Sequence, residues 1–349
     1  MKSEFERFYH RRTPSGLIKE RKITSSTILI LQEAKKLNIK IETILCTRIF
    51  KLTWKNKVRF FYYQNPGNTS ALSIYCSSNK RITRELLTQN GISVPKGYDI
   101  HPNDDLDYWK EIFESLKTPL VVKPNIGTQG KAIAVNIESF IDYATAVKNA
   151  FAYSNDKENW VIVEEMLRMK EYRILVSQKK IIGVLNRVPA NVIGDGKSNI
   201  RKLINIKNSD PRRGDPVDHP PLFRIELDEM MKTFLLIQGL TWKSIPPKNK
   251  QIFLRGVSNI SQGGDSIDYT DKIHPSVGII ALQAINSIPG LVLGGVDFMT
   301  KDITKKQTKN SYAILEINDS PGIDMHDFPF EGKNRHAAIA FLKIMFDEF

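Results

Sequence analysis

Apolar positions recur along the chain in two rhythms. Ile28, Leu29, Leu31, Ala34 and Leu37 fall at roughly helical spacing, with Ser25 and Ser26 placed to cap that helix. Residues 39–45, 49–54 and 58–63 are β-prone, with Lys55, Asn56 and Lys57 as the turn between the last two. Residues 23–75 therefore read as a small α/β unit behind a polar, basic arm over 1–22. A second helix is expected from a cap in Ser77, Ser78 and Asn79 to about Gln89, closed by Asn90 and Gly91. Another is expected over 104–115. Leu120 to Val122 is a short buried strand, stopped by Pro124, which has no N–H to give. Residues 132–135 return it, and 139–151 form a helix with Phe140, Ala144, Val147 and Phe151 on one face. Runs over 160–163, 171–176 and 180–185 read as strands, the last two paired and continued by 186–189. Gly194, Asp195 and Gly196 mark a turn, after which Ser198 caps a helix through Ile206. A proline- and charge-rich loop over 207–221 precedes helices at 225–239, 274–288 and 335–346. Strands over 251–254, 293–298 and 312–318 complete the set, with 301–311 as an exposed insertion. Both rhythms alternate without an internal repeat, which predicts an α/β (α+β) chain.

Composition narrows this only a little. The 349 residues, 41% hydrophobic and 26% charged, suffice for one large core or two to three small domains. No apolar run reaches the roughly 18–20 residues of a membrane span. Met1 to Phe5 lacks a secretory apolar segment. Cys46 and Cys76 show no metal-ligand spacing and no disulfide framework, so a reducing cytoplasm is expected, with no membrane partner. The formal charge of +13 admits nucleic acid, an anionic surface or anionic small molecules. Aromatic and basic residues are not interleaved and no zinc knuckle occurs, so nucleic acid is not expected.

Four stretches carry candidate chemistry. In the first, Lys123 and Lys131 bracket a loop in which Gly127 and Gly130 permit tight bending and close approach to a ligand. Backbone N–H groups with lysines suit a polyphosphate, but no Gly-Lys-Ser/Thr follows, and a surface hairpin with solvated lysines fits equally. In the second, Glu316 and Asn318 are two apart on a strand and share a face, and Asp297 lies on the preceding strand of the hairpin. Three hard oxygen ligands suit Mg²⁺; without a cation, facing carboxylates on neighbouring strands would repel. In the third, Glu164, Glu165, Met166 and Leu167 leave a strand where an adenine edge could be read, with Glu171 in reach of a ribose; acidic residues at strand ends are also common. In the fourth, Arg255 heads a polar loop with Asn259, Ser261, Gly263 and Gly264, a composition that suits a carboxylate or phosphate as well as a surface salt bridge. Arg187 has the same two readings, Lys80 reads as an exposed helix lysine, and His274 and His326 read as structural.

These pieces, in this order, resemble the ATP-grasp superfamily of carboxylate–amine ligases, and in particular the ATP-grasp portion of cyanophycin synthetase and of bifunctional glutathione synthetase. The resemblance runs from about residue 79 to the C-terminus. It is carried by Val121-Val-Lys-Pro124 with its glycine loop, Val163-Glu-Glu-Met-Leu167, Glu171-Tyr-Arg-Ile-Leu-Val176, and Asn186-Arg-Val-Pro189 with Gly194-Asp-Gly196. Leu254-Arg255, Asn259-Ile-Ser-Gln-Gly-Gly264, Gly295-Val-Asp297, Leu315-Glu-Ile-Asn318, Ser320-Pro-Gly322 and Met325-His326 follow. It implies an ATP-grasp fold with a small N-terminal α/β domain (1–78) and two α+β subdomains clasping ATP: 79–165 with a mobile glycine loop, and 166–349 with the metal site. Lys80 and Lys123 look like the lysines that hold ATP phosphates. Gly127, Thr128, Gly130 and Lys131 look like the loop that folds over them, poorly ordered until nucleotide binds. Glu164, Glu165, Met166 and Leu167 look like the adenine hinge, and Glu171 like the ribose carboxylate. Asp297, Glu316 and Asn318 look like ligands of Mg²⁺, as two ions, with Mn²⁺ as a substitute. Arg255 looks like the arginine of the acyl phosphate, Arg187 like a γ-phosphate contact, and Asn259, Ser261, Gly263 and Gly264 like substrate contacts.

The implied reaction joins the carboxylate of an amino acid or small peptide to an amine through an acyl phosphate, releasing ADP and phosphate. Small-molecule phosphorylation without amide formation and a non-catalytic nucleotide-binding module are the alternatives. A homodimer is common in such families. Neither the second ligase domain of cyanophycin synthetase nor the glutamate–cysteine ligase domain of the bifunctional enzyme has a counterpart here, so polymer and glutathione synthesis are not expected to carry over. Gln129, Gln262 and residues 210–221 depart from the pattern, which places substrate identity in those loops.

Overall fold

A computed structural model describes residues 10–13, 16–19, 23–44, 48–127, 131–153, 159–215, 220 and 222–348. The chain opens with a hairpin, β1 (His10–Thr13) and β2 (Gly16–Lys19). Helix α1 (Ser25–Lys36) leads to an antiparallel sheet of β3 (Lys40–Thr43), β4 (Ile49–Trp54) and β5 (Lys57–Tyr62). Helices α2 (Ala71–Ser78) and α3 (Lys80–Gln89) then connect to β6 (Gly97–Ile100), α4 (Leu106–Ser115), β7 (Leu120–Pro124), β8 (Ala134–Ile137), α5 (Phe140–Tyr153) and β9 (Val161–Glu165). These four strands form one antiparallel sheet in the order β6-β9-β7-β8.

Strands β10 (Lys170–Ser177) and β11 (Ile181–Val188) follow, then β12 (Asn191–Ile193), α6 (Ile200–Asn208), β13 (Arg213–Gly214), β14 (Leu222–Phe223), α7 (Glu229–Ile237) and β15 (Gln251–Phe253). The chain closes with β16 (Asp265–Asp268), α8 (Pro275–Asn286), β17 (Leu293–Thr300), β18 (Tyr312–Asn318), α9 (Asp324–Asp327) and α10 (Ala337–Met345). The second large sheet is antiparallel in the order β16-β11-β10-β17-β18, and β12 pairs with β15 in a separate ribbon.

Each layer buries its own apolar face. Leu120, Val122, Val161 and Val163 pack on Trp109, Ile112, Tyr143 and Val147 of α4 and α5. Tyr172, Ile174, Val296 and Phe298 pack on Val277, Ala281 and Ile285 of α8. The N-terminal sheet shares its core with the C-terminus: Phe50, Leu52 and Phe61 lie with Phe341, Leu342 and Phe346. A smaller core, including Val192, Ile204, Leu235 and Ile252, supports the β12–β15 ribbon. Residues far apart in sequence thus complete the core beneath the N-terminal sheet.

Several expected boundaries move, each for a local reason. The hydroxyl of Thr24, not Ser25 or Ser26, caps α1, accepting from the Thr27 N–H at 3.2 Å. Ser26 instead bonds the Asp324 carboxylate and accepts from the Ile323 N–H at 3.0 Å. Asn199 rather than Ser198 caps α6, its side-chain oxygen accepting from the Lys202 N–H at 2.9 Å, while Ser198 belongs to the preceding turn, its N–H held by the Asp195 carboxylate at 2.6 Å. Helix α7 starts at Glu229 behind Asp228, not at 225. Helix α2 and strand β6 were not expected: α2 leaves Leu72, Ile74 and Tyr75 exposed, so it has no apolar face to read. Pro124 stays in the strand, opposite Val161, at its last position.

Candidate active site

Helix α3 points its first turn at the groove between the sheets. Asn79 caps it, accepting from the Ile82 N–H at 3.1 Å. Asn125, fully buried after β7, holds the same turn: its carbonyl accepts from Lys80 N–H at 3.4 Å and its side-chain oxygen from Arg81 N–H at 3.0 Å. Lys80 is therefore not an exposed helix lysine. It is 9% exposed, donates to the Gly127 carbonyl at 2.9 Å, and lies 3.9 Å from Glu316 of the other sheet. Burial pushes its ammonium below the ordinary lysine value, and Glu316 partly offsets this.

On the four-stranded sheet, Lys123 donates to Glu164 at 2.6 Å across β7 and β9, both side chains buried. Arg84 of α3 approaches the other Glu164 oxygen at 4.0 Å. Beyond the strand end, Glu165 accepts from the Lys117 N–H at 3.1 Å, and the Met166 N–H donates to the Pro119 carbonyl at 2.9 Å. Leu167 is half-buried beside them. Lys131 is exposed past the loop, while Thr128 and Gly130 lie outside the described residues.

On the five-stranded sheet, Asp297 and Glu316 are register partners across β17 and β18, beside a β-bulge. Asp297 is 3% exposed and sits between two guanidiniums: Arg173 Nε at 2.5 Å and Nη2 at 3.2 Å, and Arg187 Nη2 at 3.0 Å. Burial alone would raise its pKa, but the two arginines outweigh that and hold the carboxyl well below its usual range. Arg187 also pairs with Glu171, which in turn accepts from the Ser258 hydroxyl. Asn318 donates to Glu316 at 3.2 Å. No group of three or more His, Cys, Asp or Glu side chains suited to a metal gathers among the described residues; the oxygen set here is two carboxylates and an amide.

Arg255 is buried, and both terminal nitrogens meet Asp228 in a bidentate pair at 2.9 and 2.7 Å. The loop after it reaches the sheet. Ser258 touches Glu171, Asn259 caps a short turn by accepting from Ser261 N–H at 3.1 Å, and Gly263 takes a positive φ of +89°. At Gly264 a Cβ would lie 2.9 Å from the Val188 carbonyl, so β11 and the loop meet there. Contacts join Lys80 to Gly127 and Glu316, Lys123 to Glu164, Arg187 to Glu171 and Asp297, and Asn318 to Glu316, whereas Arg255, Glu165 and Met166 bond to residues outside the expected set. Sequence reasoning passed over Arg173, Arg84, Asn125 and Asp228. Arg173 had a signal, since it lies two residues from Glu171 on the same strand face. The other three are set by tertiary contact alone. His274 is structural, accepting from the Ser276 N–H at 3.1 Å as the cap of α8.

The relatives and the solved structure that follow place the chain among the ATP-grasp ligases, a class that uses ATP and Mg²⁺. No family model matches the chain. Its homologues include a glutathione biosynthesis bifunctional protein of Clostridium perfringens, 39% identical over 281 residues, covering 80% of this chain and 35% of the relative. They also include a cyanophycin synthetase of Trichormus variabilis, 34% identical over 321 residues, covering 92% and 35%. Among solved structures, a bifunctional glutathione synthetase from Pasteurella multocida superposes with a TM-score of 0.72 at 31% identity, covering 94% of this chain and 45% of that one. The chain spans about a third of the length of the curated relatives it matches. Among the described residues, no helix is long and apolar enough to cross a membrane.

The donor set fits the ligands of that class. The amide nitrogen of Asn125 and the Nε atoms of Arg187 and Arg255 are buried with no hydrogen-bond partner among the described residues. An anion supplies the acceptors that such buried donors lack. Asp297, Glu316 and Asn318 offer the hard oxygens Mg²⁺ prefers.

Proposed function

We propose that the chain is an ATP-dependent ligase. It joins the carboxylate of an amino acid or small peptide to an amine through an acyl phosphate, and releases ADP and phosphate. The observation that carries this reading is Lys80 of α3, which donates to the Gly127 carbonyl beyond β7 at 2.9 Å and lies 3.9 Å from Glu316 of β18, because it joins the glycine-loop end of one sheet to the acidic strand of the other. Polyphosphate transfer needs both edges at one place, the cations for the phosphates and the carboxylates for the metal.

In this reading Lys80 and Lys123 bind the phosphates, and Gly127 to Lys131 covers them. Glu164 to Leu167 border the adenine and Glu171 the ribose. Asp297, Glu316 and Asn318 would hold Mg²⁺, as two ions, with Mn²⁺ as a substitute; the metal supplies charge neutralisation of the transferred phosphoryl group. A substrate carboxylate oxygen attacks the γ-phosphorus as the bond to the β-phosphate oxygen breaks, and Arg187 steadies the charge. The amine nitrogen then attacks the acyl carbon, loses a proton and expels phosphate, while Arg255 stabilises the oxyanion. No side-chain nucleophile takes part. Residues 79–165 and 166–349 act as the two halves of the clasp, with 1–78 beside them, in a cytoplasmic protein that forms a homodimer.

The test is an ADP-release screen over pairs of amino acids and dipeptides, with mass spectrometry of products. The ligase releases ADP only with both carboxylate and amine present and yields an amide. ADP release with a single acceptor and a phosphorylated product identifies a kinase instead. No ADP release from any pair leaves a non-catalytic nucleotide binder.

A further inference from the structure

Two glycines mark where the chain crosses back over the five-stranded sheet after β18. A Cβ at Gly295 of β17 would lie 2.8 Å from Pro321 Cβ, and a Cβ at Gly183 of β11 would lie 2.6 Å from His326 Nδ1. Gly295 and Gly183 both sit opposite Leu175 of β10, so the three share one face of the sheet. Side chains alternate along a strand, so this is also the face of Asp297 and Arg173, each two residues along from Gly295 and Leu175. Residues 321–326 therefore cover the face that carries the charged chain, not the face packed on α8. Ile323 anchors the crossing in the core shared with Leu175. Ser26 of α1 anchors it from the other side. Its buried oxygen accepts from the Ile323 N–H at 3.0 Å and the Asp324 N–H at 3.3 Å, and its one proton goes to the Asp324 carboxylate.

The acids around this crossing differ in what holds them. Asp297 has Arg173 and Arg187, Glu171 has Arg187, Glu316 has Lys80 and Asp268 has Arg335. Asp327 gives both oxygens to the first N–H groups of α10, those of Ala337 and Ala338. Asp319, next to Asn318, turns to the Ser77 hydroxyl of α2. Asp324 forms no ion pair among the described residues, and Ser26 is its one side-chain donor there. Burial pushes its carboxyl above the ordinary aspartate range, and the Ser26 hydroxyl offsets this only in part. Its carboxylate stands over Gly322, where a Cβ would lie 3.5 Å from Asp324 Oδ1. Asp324 is nevertheless only half-buried, so a ligand can reach it. A fixed, reachable carboxylate without a cation is set up to receive one.

We propose that Asp324 is the receptor for a positive charge that one substrate keeps through the reaction, the ammonium or guanidinium of a basic amino acid. The proposal deepens the ligase reading and rests on it in one respect, the place where the substrate reacts. That place is beside Asp297 and Glu316. Gly295, under Pro321, lies two residues from Asp297, about 7 Å along the strand. A substrate that reacts beside Asp297 and also meets Asp324 must carry its cation at about the reach of a lysine or arginine side chain. Glycine or alanine has no group that spans this distance, and an acidic side chain would meet Asp324 with like charge.

The test is calorimetric titration of the full chain, with ADP and Mg²⁺ present, by lysine, arginine and norleucine, the last a lysine without its terminal ammonium. Lysine or arginine is expected to bind about tenfold more tightly than norleucine, and Asp324→Asn to lose that advantage. The variant should melt no lower than the parent, because its carboxylate has no ion pair to lose. The proposal is overturned if neither basic amino acid binds the parent, or if the advantage survives in Asp324→Asn. A variant that melts lower as it loses the advantage also overturns it, since Asp324 would then be a structural partner within the chain. Two arms name the source of the charge, and either result supports the receptor. With ATP, Mg²⁺ and hydroxylamine as the sole amine, a hydroxamate of the basic amino acid marks it as the carboxylate substrate, because hydroxylamine nitrogen attacks the acyl carbon and expels phosphate. ADP release that requires a second carboxylate, with the amide of that acid as product, marks the basic amino acid as the amine. Binding that depends on Asp324 without ADP release in either arm supports the receptor and counts against the ligase reading. ADP release from neutral substrates, with no binding of lysine or arginine, does the reverse.

Discussion

The two sheets that face each other across the groove handle charge in opposite ways. On the four-stranded sheet a buried cation meets a buried anion diagonally across two strands, Lys123 of β7 with Glu164 of β9 at 2.6 Å. On the five-stranded sheet charge alternates along a chain: Arg173, Asp297, Arg187, Glu171, then the Ser258 hydroxyl. A single pair is rigid but has one state. An alternating chain has spare partners, so one member can turn to a ligand while its neighbours stay paired. That difference assigns holding to the first sheet and the changing charge of phosphoryl transfer to the second. It also explains how Asp297 and Glu316 tolerate being register partners, since Arg173 and Arg187 stand where a cation is required.

The largest effects are expected on the chain. Asp297→Asn removes the charge between two enclosed guanidiniums. Breaking a buried pair in this way costs about 3–5 kcal/mol, read as a lower urea midpoint, and Mg²⁺-dependent ADP release should fall by at least about a thousandfold. Glu316→Ala divides the two roles. Its side chain is 33% exposed, so the fold should hold while Mg²⁺-dependent turnover is lost. Unchanged turnover in Glu316→Ala would sink the metal assignment. On the single pair, Lys123→Met keeps the apolar stem but strands Glu164, with Arg84 at 4.0 Å as its remaining partner. A loss of about 3 kcal/mol is expected, the low end for a broken buried pair because Arg84 remains near Glu164, together with about tenfold weaker ATP binding by calorimetry. Equal losses in Asp297→Asn and Lys123→Met would erase the contrast between the sheets.

Much of this contrast was legible in the sequence, and the limit is physical. Alternation on a strand placed Glu316 and Asn318 on one face, and the hairpin put Asp297 beside them, because side-chain period and register are local properties. The diagonal pair of Lys123 and Glu164 was not legible: it depends on β7 pairing with β9 over about 40 intervening residues, a register that no local rule sets. Lys80 shows the same boundary. Its helix and its cap could be read, but its burial comes from Asn125 and Glu316. Arg255 was visible as chemistry beside a polar loop, whereas its partner Asp228 was hidden inside an expected helix that begins four residues later than its apolar pattern suggests.

A smaller effect follows from pH on the five-stranded side. His326 is fully buried, with both ring nitrogens lacking a partner among the described residues. Burial first, and Arg173 nearby, push its pKa down to about 3. The unfolded chain takes up that proton near pH 6.5 while the folded chain refuses it. Below about pH 6.5 the unfolded state thus binds more protons, so stability falls as pH drops, by up to about 1.4 kcal/mol per unit, levelling near pH 3. His326→Leu should flatten this part of the urea-midpoint profile between pH 6.5 and 5. An unchanged slope would mean that carboxylates alone set the acid limb.

The smallest effect is expected at Gly127, on the holding side. Its φ is not positive, and an added Cβ would meet Pro124 Cγ at 3.4 Å and Tyr153 Cε1 at 3.5 Å, ordinary contacts. Gly127→Ala should therefore change stability by no more than about 0.5 kcal/mol. Gly263 on the opposite side is different: its φ is +89° and a Cβ would lie 2.7 Å from Ile225 Cγ1, so alanine there is strained. Lys80 donates to the Gly127 carbonyl, which alanine keeps, so ATP affinity should also shift only a few-fold if the loop closes with the backbone it has at Gly127. A large loss of ATP affinity in Gly127→Ala, with the melting temperature unchanged, would show that the loop must pass through a conformation only glycine allows. The holding sheet would then contain a moving part, and the division of labour between the sheets would have to be redrawn around it.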